Sequence, residues 1–171
     1  DAVYLGGKKF NMRLHRSDYH FTDEQLVSAV NLAHKHGVKI YVTINNLLSD
    51  SEIDELYLFL EFLQDIGADA IIIQDLGVIR CVRQKNIKLA LHASTMMNTH
   101  SVPMAMELKD LGVSRIITSR DITIAQAKEI HEKCNIEVEY FVHGDMCTAQ
   151  SSQCYSSGVL FAKSSNRGEC M

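Results

Sequence analysis

Three times along this chain a helical rhythm of apolar residues stops at a glycine, and a short apolar run begins two or three residues later. The copies are His36-Gly37-Val38-Lys39-Ile40-Tyr41-Val42, Ile66-Gly67-Ala68-Asp69-Ala70-Ile71-Ile72-Ile73 and Leu111-Gly112-Val113-Ser114-Arg115-Ile116-Ile117. A glycine just past a helix end adopts the left-handed backbone that closes the last turn. An apolar run of this length without alternation predicts a strand buried on both faces, as in a parallel sheet.

The helices between these runs announce their starts. Thr22-Asp23-Glu24-Gln25, Ser49-Asp50-Ser51-Glu52 and Thr123-Ile124-Ala125-Gln126 all fit the capping box, in which a hydroxyl and a Glu or Gln satisfy free amides reciprocally. Leu26, Val30 and Ala33 keep an amphipathic spacing, as do Leu56, Phe59, Leu60 and Leu63. Pro103 sits in the first turn of a helix running to Leu111, where its missing amide costs little. Together these signals predict strands near 2–6, 39–44, 69–74, 88–92, 115–119 and 137–142, with five helices between them.

Six βα-type units without a hairpin signal point to an all-parallel α/β fold. No Gly-x-Gly-x-x-Gly follows the first strand, which disfavours an open dinucleotide-binding sheet. The preferred expectation is an incomplete (β/α)8 TIM-type barrel, since a full one needs eight units and roughly 250 residues. Residues 1–142 would form the partial barrel. Residues 143–171 would be an irregular cysteine-containing loop on the C-terminal rim of the same domain. The chain opens directly on a strand, Asp1-Ala2-Val3-Tyr4-Leu5, so an excerpt from a longer protein is expected. A barrel cut at both ends would expose two sheet edges and tend to self-associate through them.

Composition narrows the function classes. A length of 171 with 46% apolar residues supports one good core. A net charge of −4 leaves no overall basic footprint for nucleic acid. The nearest thing to one is Lys8, Lys9, Arg13 and Arg16, close together in one connection. With no apolar run of eighteen and no leader pattern, no membrane span is expected and a cytoplasmic location is. Five cysteines make an odd set that argues against a disulfide framework, and Cys81 and Cys134 fall in helical patterns as small buried hydrophobes.

In parallel α/β folds chemistry gathers at the C-terminal strand ends. Those ends read Gly6-Gly7, Asn45-Asn46, Gln74-Asp75, His92-Ala93-Ser94, Ser119-Arg120 and His143-Gly144. Strand ends become polar wherever they meet water, which accounts for many of them. The mixture of two His, an Arg, an Asp and an Asn on one rim suits a small polar or anionic ligand. Arg120 is the candidate for a bidentate anion contact, and Asp75, His92 and His143 are candidates for moving protons. Asn11, Arg13 and Asn45 are candidate substrate contacts. His34 and His36 close a helix, where the dipole favours a cation, and read as structural. His131-Glu132 lacks the second His of a zincin helix, and no Gly-x-Ser-x-Gly elbow is present.

Cys147, Cys154 and Cys170 lie in the final stretch, among Ser, Thr, Gln and Gly. Long irregular loops in compact domains are functional or disordered. The close Cys pairs of zinc ribbons are absent, whereas the wider spacing is compatible with an iron–sulfur cluster whose thiolates come from distant loops. Two other readings stay open here: a nucleophilic Cys147 with His143 as its base, or inert thiols.

Longer motifs carry a resemblance. Asp1-Ala2-Val3-Tyr4-Leu5-Gly6-Gly7 with Phe10-Asn11-Met12-Arg13, Phe21-Thr22-Asp23-Glu24, Gln74-Asp75-Leu76-Gly77, Leu91-His92-Ala93-Ser94-Thr95, Phe141-Val142-His143-Gly144 with Cys147, and Ser165-Asn166-Arg167-Gly168 with Cys170 run in order along the whole chain. They resemble the collagenase-like peptidases of the U type, family thirty-two. The resemblance implies a (β/α)8 barrel of which this chain covers the second to seventh strands. It also implies either reported collagen-degrading activity or oxygen-independent hydroxylation of a tRNA wobble uridine, a ribosomal RNA cytidine or a ubiquinone precursor. For the hydroxylating members it implies a 4Fe-4S cluster on four cysteines, the first three matching Cys147, Cys154 and Cys170, and prephenate as oxygen donor in the RNA-modifying branch. Two departures stand out: Met96 where Gln is expected after Ser94-Thr95, and Ser152-Gln153 where Gly-Arg is common before Cys154. The expected function is an iron–sulfur RNA hydroxylase, with a peptidase and a non-catalytic iron–sulfur assembly subunit as alternatives.

Overall fold

The computed structural model describes residues 1–144 and 146–170; Asp145 and Met171 of the cysteine stretch lie outside the described residues. The chain forms β1 (Ala2–Gly7), β2 (His20–Phe21), α1 (Asp23–Lys35), β3 (Lys39–Ile44), α2 (Ile53–Asp65), β4 (Ala70–Ile73), α3 (Leu76–Gln84), β5 (Ala90–Ala93), α4 (Val102–Asp110), β6 (Val113–Ile117), α5 (Ile124–Cys134), β7 (Glu137–Glu139) and α6 (Ser156–Phe161). Every strand pair is parallel, and the sheet order is β2-β1-β3-β4-β5-β6-β7. From β3 onward each strand adds beside its predecessor, with no reversal of the kind that creates the switch point of a doubly wound sheet.

The helices form where their caps lie. Thr22 Oγ1 accepts the Gln25 amide while Gln25 Oε1 accepts the Thr22 amide, and Thr123 and Gln126 repeat the exchange at α5. Gly37, Gly67 and Gly112 have φ of 67°, 81° and 89°, the left-handed helix ends that the repeat predicts. His34 closes α1 by donating from Nε2 toward Asp69 Oδ2 at 2.9 Å, a structural role as expected.

Two apolar layers result, one on each side of the sheet. The larger joins Leu26 and Val30 of α1 and Leu56, Leu60 and Leu63 of α2 to outward-facing strand residues such as Ile71 and Ile73. The smaller, on the other face, gathers Tyr41, Ala70, Ile72 and Ile117 with no helix over it. Helices on one face and sequential order describe a (β/α) barrel wall. Cys81 and Cys134 are buried in the larger layer.

The structure differs from the sequence expectation in detail. β2 is an added strand, two residues following a 3₁₀ turn at Ser17–Tyr19 and paired with Gly6 and Gly7. It is too short to carry an apolar pattern. β6 begins and ends two residues earlier than expected, and β7 stops at Glu139 rather than 142. The final stretch is not wholly irregular, since it holds α6 and a 3₁₀ turn at Ser165–Arg167. Among the described residues no helix is long and apolar enough to cross a membrane.

Candidate functional site

Several rim residues frame the site rather than face a ligand. Asp75 is the N-cap of α3: its Oδ1 accepts the Gly77 amide at 2.7 Å and its Oδ2 the Leu48 amide at 3.0 Å. With both oxygens held by backbone donors, Asp75 ties two strand-end loops together instead of standing free to carry a proton. Asn11 is buried, donates from Nδ2 to the Gly7 carbonyl and accepts the Arg13 amide. Asn45 Oδ1 accepts the Met12 amide at 3.1 Å. These asparagines, expected to touch substrate, build the end of β1 against β3. Gly6 makes the room, because a Cβ there would meet Thr43 Oγ1 at 2.9 Å and Asn11 Cγ at 3.2 Å.

The basic quartet is partly spent. Lys9 pairs with Glu55, and Arg16 holds Asp18 through Nε and Nη2. The exposed Arg13 guanidinium bonds no described residue and remains available for a phosphate.

His92 occupies the inner face of the sheet at 4% exposure, edge-on to the Tyr41 ring with centroids 4.5 Å apart. Arg115 lies 5.1 Å from the centre of the same ring. Its guanidinium donates to Glu137 Oε2 at 2.9 and 3.0 Å and reaches Glu139 at 3.5 Å. Burial pushes the His92 imidazole down to about 4, and the Arg115 charge adds to the effect. His92 is therefore neutral at neutral pH.

The cysteine stretch is tied to the barrel at both ends by arginines. Arg120, three residues past the end of β6, donates from Nη1 to the Cys147 carbonyl at 2.5 Å. Its Nη2 reaches the Ala149 carbonyl at 2.6 Å and Ser151 Oγ at 3.4 Å. Expected to grip an anion, Arg120 instead grips the loop, beside a cavity of about 550 Å³ lined by Asp121, Met146, Cys147 and Thr148. At the far end Arg167 donates to the Leu47 carbonyl at 2.8 Å and forks onto both Glu52 oxygens at 2.9 and 3.0 Å. Arg167 holds the Glu52 carboxyl down at about 2, with the Ser49 hydroxyl and amide contributing. The His15 amide donates to the Gly168 carbonyl and the Leu47 amide to that of Asn166. Gly168 (φ 84°) permits this docking, since a Cβ would fall 2.4 Å from the Asn11 carbonyl oxygen.

All three thiols of this stretch are free; Cys147 is exposed, and Cys154 and Cys170 are half-buried. The Ser156 amide, with the Ser165 hydroxyl and Ser157 amide, draws the Cys154 thiol below its usual value. Soft thiolates are the donor chemistry of iron–sulfur clusters. Their placement does not assemble such a site: among the described residues no three His, Cys, Asp or Glu side chains lie close enough together to hold a metal ion. His143 is exposed, and no hydrogen bond joins it to Cys147 among the described residues. The Arg167–Glu52 fork and the Arg115 cluster escaped the sequence reading, because partners 115 and 22 residues apart leave no local signal.

A family model, peptidase family U32, matches residues 1–171. Over 170 residues the chain is 36% identical to a 23S rRNA 5-hydroxycytidine synthase of Escherichia coli, covering 99% of this chain and 25% of that protein. It is 34% identical over 170 residues to tRNA hydroxylation protein P1 of Bacillus subtilis, covering 99% and 40%. A further relative, at 34% over 177 residues with 100% and 42% covered, is an uncharacterized protease of Methanocaldococcus jannaschii. The chain thus spans a quarter to about two fifths of these relatives. Among solved structures, a U32 peptidase matches with a TM-score of 0.68 at 15% identity, covering 82% of this chain and 60% of that one. A glycerophosphodiester phosphodiesterase from Parabacteroides distasonis matches at 0.55 and 12%, covering 72% and 51%. At such identities these two speak for the fold alone.

Proposed function

The chain belongs to peptidase family U32, and from that premise we propose that it is the barrel part of an enzyme that hydroxylates a pyrimidine of RNA. The observation that carries this reading is similarity across 99% of the chain to relatives named for rRNA and tRNA hydroxylation. The site supports it over proteolysis. A thiol or serine peptidase needs its nucleophile bonded to a base. Among the described residues the histidine ring bonds go to backbone carbonyls, from His15, His20, His100 and His131, or to Asp69, from His34.

The cluster belongs to the same proposal. Cys147, Cys154 and Cys170 are its thiolate donors, drawn together on loading, with a fourth ligand outside this chain. When bound, a 4Fe-4S centre supplies one-electron transfer. This chain's own share is positional: Arg120 fixes the backbone at Cys147, and Arg167 fixes the turn that leads to Cys170. Prephenate is the proposed oxygen donor.

The test uses the full-length protein and its host. Mass spectrometry of RNA from a deletion strain should show loss of a hydroxylated pyrimidine, restored by the wild-type gene and not by C147A, C154A or C170A. Unchanged hydroxyuridine and hydroxycytidine overturns the RNA reading. Anaerobically purified protein without iron or sulfide overturns the cluster. Peptide cleavage that survives chelators and is lost in C147A establishes the peptidase instead.

A further inference from the structure

A second cleft, of about 430 Å³, opens between the β1–β2 connection and the turn at 163–169, lined by Leu14, His15, Lys163, Arg167 and Glu169. Its walls are joined where the His15 amide and ring both meet the Gly168 carbonyl. The connection leaves the C-terminal end of β1, and the turn bonds the loop after β3 through Leu47. The cleft therefore lies on the rim where parallel barrels bind their ligands. Its size falls among small-ligand clefts, which run from about 300 to 1,000 Å³.

Charge is concentrated here against the trend of the chain. Residues 8–20 hold four Lys and Arg against one Asp, and 163–169 hold two against one Glu, so the two segments carry +4 in a chain of net charge −4. Glu55 and Glu52, both from the stretch after β3, offset Lys9 and Arg167. Lys163 and Arg13 are exposed and bond no described residue.

The cleft also keeps donors and acceptors unused. Lys163 offers a free ammonium. Arg167 uses Nη1 on the Leu47 carbonyl and Glu52, and one Nη2 hydrogen on Glu52, which leaves N–H groups at Nε and Nη2. His15 Nδ1 donates to the Gly168 carbonyl at 3.2 Å, so Nε2 is the acceptor of the neutral ring. Glu169 Oε2 accepts the Ser164 amide at 3.2 Å and leaves Oε1 without a described partner. Cations alone would suit any anion, but a carboxylate beside them disfavours a bare one. Charged donors next to open acceptors instead match a phosphate ester whose neighbouring sugar carries a hydroxyl. We propose that the cleft holds a ribose–phosphate unit of the RNA strand, with Lys163 and Arg167 on the phosphate and Glu169 and His15 accepting the 2′-hydroxyl, the group that separates RNA from DNA. This rests on the RNA-hydroxylase reading and adds where the backbone of the strand is gripped, next to the turn that leads to Cys170.

Phosphate and sugar contacts carry no sequence information, so one hairpin tests them whichever base is modified. Full-length protein is titrated across salt concentrations with an anticodon hairpin as RNA and as the all-deoxy strand. Lys163→Gln, at an exposed position where folding is not at risk, should weaken both by about fivefold or more at low salt and reduce the slope of log K against log salt by about one. Glu169→Ala should cut the preference for RNA over DNA by about threefold or more, the worth of one hydrogen bond, and His15→Phe should act the same way. A carboxylate that only repelled the strand would, once removed, tighten RNA and DNA alike. An unchanged RNA-to-DNA ratio in both variants therefore overturns the ribose contact, and an unchanged salt slope in Lys163→Gln overturns the phosphate contact. Either result, with wild type still binding the hairpin, leaves the RNA reading standing. Uridine 5′-monophosphate, followed by saturation-transfer NMR, separates the other failure. Nucleotide binding that is lost in Lys163→Gln, with neither hairpin bound, upholds the ligand chemistry and overturns the RNA strand as its source.

Discussion

The barrel wall and the cysteine stretch are held by different physics. In residues 1–140 large apolar side chains build a buried core, with Leu26, Ile44, Leu56, Leu60 and Ile73 at 0% exposure, although Leu32, Leu58 and Ile124 stay 63–69% exposed. In the stretch from 141 on they point outward: Val142, Tyr155, Val159 and Leu160 are 69–88% exposed. What fastens that stretch is polar, chiefly two arginines reaching carbonyls and one carboxylate from opposite sides of the rim. Apolar burial is cooperative and insensitive to pH, whereas a few charged tethers can be released one at a time. On the cluster proposal, a segment whose thiols are drawn together is better served by the second kind of attachment.

The sharpest test of that contrast removes one leucine from each region. Leu60→Ala should destabilise by about 2–5 kcal/mol, because a fully buried side chain leaves a cavity between α2 and the sheet. Leu160→Ala should change stability by about 0.5 kcal/mol or less. Urea unfolding measures both. A Leu160→Ala cost comparable to that of Leu60→Ala would mean that α6 is packed after all, and the contrast would fail.

Acid should separate the regions a second way. The fold lowers His92 to about 4 from an ordinary value near 6.5. The unfolded chain therefore takes up its proton first, and the contribution is whole above about pH 6.5 and lost as pH falls toward 4. Its size is on the order of 3 kcal/mol, from 1.36 kcal/mol per pH unit. Glu52, held at about 2 by Arg167, is also a lowered group, but its contribution persists down to about pH 4.5 and disappears toward 2. Stability of the whole fold should fall in the upper window and docking of residues 164–169 in the lower one. His92→Phe should abolish the upper phase alone, as followed by circular dichroism melts across pH. An upper phase that persists in His92→Phe would assign it to other groups.

Arg167→Met should act on the segment with little effect on the barrel. The pair is partly solvated, with 39% and 25% of the two side chains exposed, so about 1 kcal/mol is expected. Hydrogen exchange across 164–169 should speed up while exchange in β4 stays as it was. Faster exchange in β4 as well would show that the fork supports the barrel rather than only the segment.

How much of this was legible in the sequence follows from the range of each interaction. The glycine-ended helices and capping boxes announced themselves because each is complete within a few residues, and the barrel expectation followed from them. β2 was invisible because its two residues pair through backbone alone. Of the rim candidates, topology correctly put Asp75, His92 and Arg120 at strand ends. It could not say that Asp75 would be consumed as a cap or Arg120 as a loop tether, since both depend on where distant backbone amides and carbonyls come to lie. Asn46 and Gln74 stand beside two of those candidates, and an uncharged amide carries no charge or spacing signal that marks its burial without partners. The cysteines were the most conspicuous feature, yet the fold does not bring them together by itself.

The smallest effect on overall stability, and the most specific to the cysteine stretch, is expected at Arg120. Its fork donates to the carbonyls of Cys147 and Ala149, two residues apart. A planar guanidinium spans such a pair; an ammonium is a single point charge and holds one at a time. Arg120→Ala and Arg120→Lys should therefore melt within a few degrees of wild type, since no buried apolar contact is lost. Deuterium uptake across 146–153 should rise in both, with lysine falling between alanine and wild type. Alkylation of Cys147, already exposed, should change little, whereas the freed backbone should become a site of proteolytic nicking. Uptake in Arg120→Ala that matches wild type would mean the loop is held by contacts other than this fork. The two-tether account of the stretch would then lose its β6 end, leaving only the Arg167 side to explain why Cys147 lies over the rim.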